Sequence, residues 1–126
     1  MKIAIIGLGY VGIQLAVAFG RNYDTIGFDS DSRKIDLYSV GIDRSGELTS
    51  NQLLGSSRLV YSSDKDDLVG CEVFIIAVPT PIDDRKRPDF VPLISASKTV
   101  GCVLRKGNVV VYESTVYPGA TEELCI

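Results

Sequence analysis

Apolar and polar positions along the chain alternate between short apolar runs and amphipathic stretches. Lys2 to Ile6 reads as the first strand, apolar at consecutive positions from Ile3 to Ile6, as a parallel strand buried on both faces should be. Val11 to Gly20 reads as a first helix, with Leu15, Ala18 and Phe19 expected on its inner face. Thr25 to Phe28 predicts a second strand. Asp31 or Ser32 then caps a second helix through about Val40, its inner face carrying Ile35 with Tyr38 or Leu37. Gly41 to Ser57 is a long polar connection with one short helix capped by Thr49 or Ser50, and connections of that length are usually functional or mobile. Leu59 to Tyr61 predicts a third strand, and Asp64 to Leu68 a helical turn or two. Glu72 to Val78 is the clearest later strand. A charged loop, Asp83 to Asp89, reads as a solvated turn. Asp89 is expected to cap a long helix from about Phe90 to Leu104, with Pro92 in its first turn and Gly107 at its stop. Asn108 to Tyr112 predicts a fifth, buried strand, and Ala120 begins a further helix. Strands alternating with helices predict an α/β domain with a doubly wound, mostly parallel sheet of Rossmann-like form over residues 1–126.

Between the first strand and first helix stand Gly7, Gly9 and Gly12, spaced G-x-G-x-x-G. Gly7 allows a turn too sharp for a side chain. Gly9 leaves bare backbone for a pyrophosphate, and Gly12 lets the helix approach the strand. The helix start aims unpaired N–H groups and a positive dipole end at the phosphates. The second strand ends in Asp29, about twenty residues further on, where a carboxylate accepts hydrogen bonds from both ribose hydroxyls. That acid repels a 2′-phosphate, which favours NAD over NADP. Asp29 also reads as a helix cap or solvated loop acid, and Arg33 and Lys34 beside it either soften the discrimination or face water.

Ligands of such sheets bind beyond the carboxyl ends of the strands. Two more segments lie there. Val78-Pro79-Thr80-Pro81 holds one hydroxyl between two prolines, a rigid strand exit or a contact to the ribose or nicotinamide side. Ser114-Thr115 follows the last strand. Thr115 is the better placed hydroxyl for nicotinamide and reacting substrate, or else the cap of the next helix.

The 126 residues suit one core, and a net charge of −3 gives no footprint for nucleic acid or an anionic membrane. No apolar run reaches transmembrane length and no signal peptide is apparent, so a cytoplasmic protein is expected. Cys71, Cys102 and Cys125 have neither a disulfide framework nor zinc spacing, and Cys71 and Cys102 read as core residues. With no histidine in the chain, a histidine base and His-dependent metal sites are excluded within it.

Ile5-Ile6-Gly7-Leu8-Gly9-Tyr10-Val11-Gly12, Gly27-Phe28-Asp29, Val78-Pro79-Thr80-Pro81 and Glu113-Ser114-Thr115-Val116-Tyr117-Pro118-Gly119 together resemble the UDP-glucose/GDP-mannose dehydrogenase family. The form of the last segment is most similar to the bacterial branch acting on UDP-N-acetylhexosamines for capsule, Vi-antigen or O-antigen synthesis. The resemblance implies NAD-dependent oxidation of a nucleotide sugar's C6 alcohol to a carboxylate. Two hydrides leave in turn, through a thiohemiacetal and a thioester on a cysteine. It further implies that Gly7, Gly9, Tyr10, Val11 and Gly12 bind the pyrophosphate. Asp29 and Lys34 would bind the adenosine ribose region. Val78, Pro79, Thr80, Ser114 and Thr115 would line the nicotinamide side, with Thr115 also positioning the water or C6 oxygen.

Family members are several times longer than one domain, and carry the nucleophilic cysteine, an active-site lysine and most UDP-sugar contacts in later domains. The chain is therefore expected to be the cofactor-binding part, inactive alone, of a protein that is homodimeric at full length. Cys125 does not take the nucleophile's role. Two other readings compete: a non-catalytic NAD-sensing regulatory domain, and another Rossmann dehydrogenase of 6-phosphogluconate or hydroxyacyl type. Neither needs Val-Pro-Thr-Pro or Ser-Thr-Val-Tyr-Pro-Gly at its later strand ends.

Overall fold

The computed structural model describes residues 1–44, 46, 48–78 and 90–113. Five parallel strands form one sheet in the order β3-β2-β1-β4-β5. They are β1 (Lys2–Ile6), β2 (Asp24–Phe28), β3 (Leu59–Ser62), β4 (Val73–Ile76) and β5 (Val109–Tyr112). The helices are α1 (Tyr10–Phe19), α2 (Ser32–Ser39), α3 (Ser50–Leu54) and α4 (Val91–Val103), and a 3₁₀ turn spans Lys65–Leu68.

The consecutive apolar residues of β1 divide between two cores, because side chains alternate across a strand. Ile3 and Ile5 pack on one face with Ile13, Ala16 and Val17 of α1 and Ile35 and Tyr38 of α2. Ala4 and Ile6 pack on the other face with Phe74, Ile76, Leu93 and Val100, beneath α4. Both sheet faces are therefore covered at β1, and its end is held between layers.

The local signals act as their chemistry requires. Asp31 caps α2 by accepting from the Arg33 N–H at 3.0 Å. Thr49 and Gln52 form a reciprocal capping box on α3, the short helix expected in the polar connection. Asp64 caps the 3₁₀ turn.

Four expectations are corrected. The inner face of α1 is Gly12, Ile13, Ala16 and Val17; Ala18 is exposed, and Leu15 and Phe19 are only partly buried. Gly12 sets this rotation, since a Cβ built on it falls 1.7 Å from the Gly7 carbonyl oxygen, so its bare face must meet the turn. Phe90, not Asp89, holds the position before the first residue of α4, and Asp89 lies outside the described residues. Within the described residues β5 pairs only with β4, leaving Val109 and Val111 exposed, while Val110 and Tyr112 pack on the core. Cys102 is exposed on α4; Cys71 is buried, as expected. Among the described residues no helix is long and apolar enough to cross a membrane.

Candidate dinucleotide site

The two halves of the sheet wind in opposite directions from β1, so a crevice opens beyond the ends of β1 and β4. The glycine turn occupies its floor. The Gly7 N–H donates to the Phe28 carbonyl at 2.8 Å, and the Ala77 N–H donates to the Ile6 carbonyl at 2.8 Å. Both neighbouring strand ends are thereby tied to the turn.

The three glycines differ in what requires them. Gly7 has φ +95°, a backbone that other L residues rarely adopt, and an added Cβ meets Val78 Cγ1 at 2.6 Å. Gly12 is required by the contact with the Gly7 carbonyl described above. Gly9 has φ −78°, open to any residue, and a Cβ added there meets nothing within 4 Å. Neither backbone strain nor packing within the protein therefore demands the glycine at position 9. The open face lies at the N-cap of α1, where Gly9 supplies a carbonyl to the Ile13 N–H but no capping side chain. Tyr10 and Val11, on the first turn, expose 64% and 50% of their surface, so neither is committed to the core.

Asp29 lies directly beyond β2 and bonds to the turn. Its Oδ2 accepts from the Leu8 N–H at 2.9 Å, and its Oδ1 from the Asp31 N–H at 2.9 Å. Lys34 Nζ stands 3.6 Å from Oδ2. A carboxylate offers about four lone-pair sites, so both oxygens keep capacity for further donors. Lys34, in the first turn of α2, thus reaches back to Asp29.

Leu8 is held from its other side as well. The Tyr38 hydroxyl, buried in α2, donates to the Leu8 carbonyl at 3.0 Å. The sequence left Tyr38 and Leu37 as alternatives for the inner face of α2 and gave neither a site role. The available signal was chemical: a tyrosine on a buried face needs a partner for its hydroxyl.

Cavities flank the turn on both sides. One of about 390 Å³ lies between the starts of α1 and α2, lined by Gly9, Tyr10, Ile13, Lys34, Tyr38 and Arg44 among others. Arg44 belongs to the polar connection, which Asp43 organises by accepting from the Leu48 N–H at 3.0 Å. The other cavity, about 70 Å³, lies toward α4 and is lined by Gly7, Asp29, Val78, Ser95 and Thr99 among others. Gly7, Gly9, Tyr10, Val11, Gly12, Asp29, Lys34 and Val78 thus gather at one end of the sheet. Pro79, Thr80, Ser114 and Thr115 lie outside the described residues.

A parallel doubly wound sheet with this turn, an open Gly9 and an acid at the end of β2 defines a dinucleotide-binding Rossmann domain. The chain belongs to the UDP-glucose/GDP-mannose dehydrogenase family, whose NAD-binding domain matches it over residues 1–126. It is 49% identical to a UDP-N-acetyl-D-glucosamine 6-dehydrogenase of Pseudomonas aeruginosa and 50% identical to one of Salmonella typhi. Each match covers 100% of this chain and 30% of the relative. The structure of a UDP-D-ManNAc dehydrogenase from Pyrococcus horikoshii superposes with a TM-score of 0.88 at 36% identity, covering 98% of this chain and 31% of that one. The chain thus spans about 30% of the length of the curated relatives it matches.

Proposed function

We propose that this chain is the NAD-binding part, residues 1–126, of a nucleotide-sugar 6-dehydrogenase whose substrate is a UDP-N-acetylhexosamine or UDP-glucose. The observation that carries the reading is the joined pair of Gly9, open toward solvent, and Asp29, bonded to the residue before it. The turn with Tyr10, Val11 and Gly12 holds the diphosphate at the start of α1. Asp29, with Lys34 beside it, receives the adenosine ribose. Asp29 stands where a 2′-phosphate would lie, and carboxylate and phosphate repel, which favours NAD over NADP. NAD bound here would supply a hydride acceptor, and two NAD molecules in turn, each leaving as NADH, with one water would take a C6 alcohol to a carboxylate.

Val78, Pro79, Thr80, Ser114 and Thr115 are assigned to the nicotinamide side, with Thr115 positioning the reacting oxygen. The motif and its place after β4 and β5 support this. We place the nucleophilic cysteine, the active-site lysine and most sugar contacts beyond residue 126, in a full-length homodimer. The cytoplasm is the compartment we assign. Similarity to the two UDP-N-acetyl-D-glucosamine 6-dehydrogenases supports the substrate class. The test is a titration of this chain with NAD and NADP, followed by a turnover assay with UDP-N-acetylglucosamine. Saturable NAD binding that exceeds NADP binding, without turnover, is expected. Absence of NAD binding overturns the cofactor assignment, and turnover by this chain overturns the placement of the nucleophile.

A further inference from the structure

We propose that Tyr38 is a positioning residue for the diphosphate-binding turn, acting through the Leu8 carbonyl. This inference rests on the NAD reading above and extends it to a side chain that no ligand need touch.

Leu8 sits between the first two glycines of the motif, with its own side chain buried in the core. Both of its main-chain polar groups are claimed by side chains. The Leu8 N–H is held by Asp29 at 2.9 Å and the Leu8 carbonyl by the Tyr38 hydroxyl at 3.0 Å. In a trans peptide the carbonyl and the following N–H point in opposite directions. Holding the Leu8 carbonyl toward α2 therefore turns the Gly9 N–H away from α2. It also fixes the peptide on which the open face of Gly9 is mounted. Without the hydroxyl, the Leu8–Gly9 peptide keeps the bonds on either side of it but loses the one that fixes its own carbonyl, and a diphosphate must then select its orientation on binding.

Tyr38 is itself immobilised. It is 7% exposed, and its ring lies 5.8 Å from that of Tyr61, whose hydroxyl donates to the Leu53 carbonyl at 2.9 Å. A tether anchored in this way holds its partner with little slack.

The experiment is isothermal titration of the chain and of Tyr38→Phe with NAD, ADP and adenosine. Tyr61→Phe serves as the control, losing a hydrogen bond from the same aromatic pair that does not reach the turn. For Tyr38→Phe, NAD and ADP are expected to bind about three- to tenfold more weakly, the range for one lost hydrogen bond. Adenosine, lacking a diphosphate, should be unchanged. Tyr61→Phe should leave all three affinities unchanged. Equal weakening of NAD by both variants, or no change in Tyr38→Phe, overturns the inference while leaving the NAD reading intact. Failure of the unmodified chain to bind NAD overturns both. A measurement on the unmodified chain covers the case in which Tyr38→Phe does not fold. The Tyr38 hydroxyl proton should be observable by NMR and should shift with NAD but not with adenosine. A signal indifferent to NAD also overturns the inference.

Discussion

The Leu8 amide donates to the Asp29 carboxylate across 2.9 Å and 21 residues of sequence. The acid at the end of β2 is therefore part of the turn's own support as well as the proposed ribose acceptor. Removing it has two consequences, and they are separable. Asp29→Ala should weaken NAD by roughly 1.5–3 kcal/mol, the scale of hydrogen bonds to a charged group. It should also lower the melting temperature, because the partly buried Leu8 N–H loses its partner. Asp29→Asn keeps an acceptor oxygen, so it should recover more of the stability than of the NAD affinity. Calorimetric titration beside thermal melting checks both. Equal recovery of the two quantities would show that the ribose assignment adds nothing to the structural role.

Gly9 and Gly12 should respond oppositely to a side chain. Gly9→Val enters open space in a permitted backbone conformation, so folding should change by about 1 kcal/mol or less. NAD affinity should nevertheless be lost, because the isopropyl group fills the approach to the turn. Gly12→Ala drives a methyl into the Gly7 carbonyl, and a backbone oxygen cannot move aside cheaply. Its cost should reach or exceed the upper end of the about 1–3 kcal/mol typical of overpacking. Circular dichroism melts distinguish the two. A Gly9→Val variant that binds NAD normally would make that glycine irrelevant to the ligand.

The strand-turn-helix unit was legible in the sequence because its constraints are local. Four consecutive apolar residues, a glycine triplet and a polar end to β2 each follow from short-range chemistry. What was not legible depended on distance or on neighbours. The large apolar side chains Leu15 and Phe19 suggest one inner face for α1. The close approach demanded by Gly12 selects another, built from the smaller Ala16 and Val17 beside Ile13. A run of valines reads as a buried strand whether it lies at the centre or the edge, so the exposure of Val109 and Val111 among the described residues depends on what covers that face of the edge strand. The bond from Tyr38 joins a side chain to a main-chain carbonyl 30 residues earlier; the residue type shows that a buried hydroxyl needs a partner but not which group supplies it.

Alkaline stability should report on Tyr61. Burial pushes its hydroxyl from an ordinary value of 10.0 up to about 12. The folded state thus resists ionisation that the unfolded chain accepts. The associated stability is fully present below pH 10 and is lost as pH rises through the interval to about 12. The melting temperature should fall across that window, and Tyr61→Phe should flatten the fall. An identical pH profile for the variant would assign the alkaline loss to other groups.

The chain alone should reduce no NAD when mixed with UDP-N-acetylglucosamine or UDP-glucose. Absorbance of the reduced cofactor at saturating substrate checks this. Steady turnover would require a nucleophile within residues 1–126 in a role we have not assigned to Cys71, Cys102 or Cys125.

The arrangement proposed for the diphosphate and ribose is tested most directly by a crystal structure of this chain grown with NAD. Diphosphate oxygens are predicted within about 2.7–3.2 Å of N–H groups at the start of α1. The Asp29 carboxylate should meet the adenosine ribose hydroxyls while still holding the Leu8 N–H. NAD bound away from the open face of Gly9, or a ribose without contact to Asp29, would contradict the account.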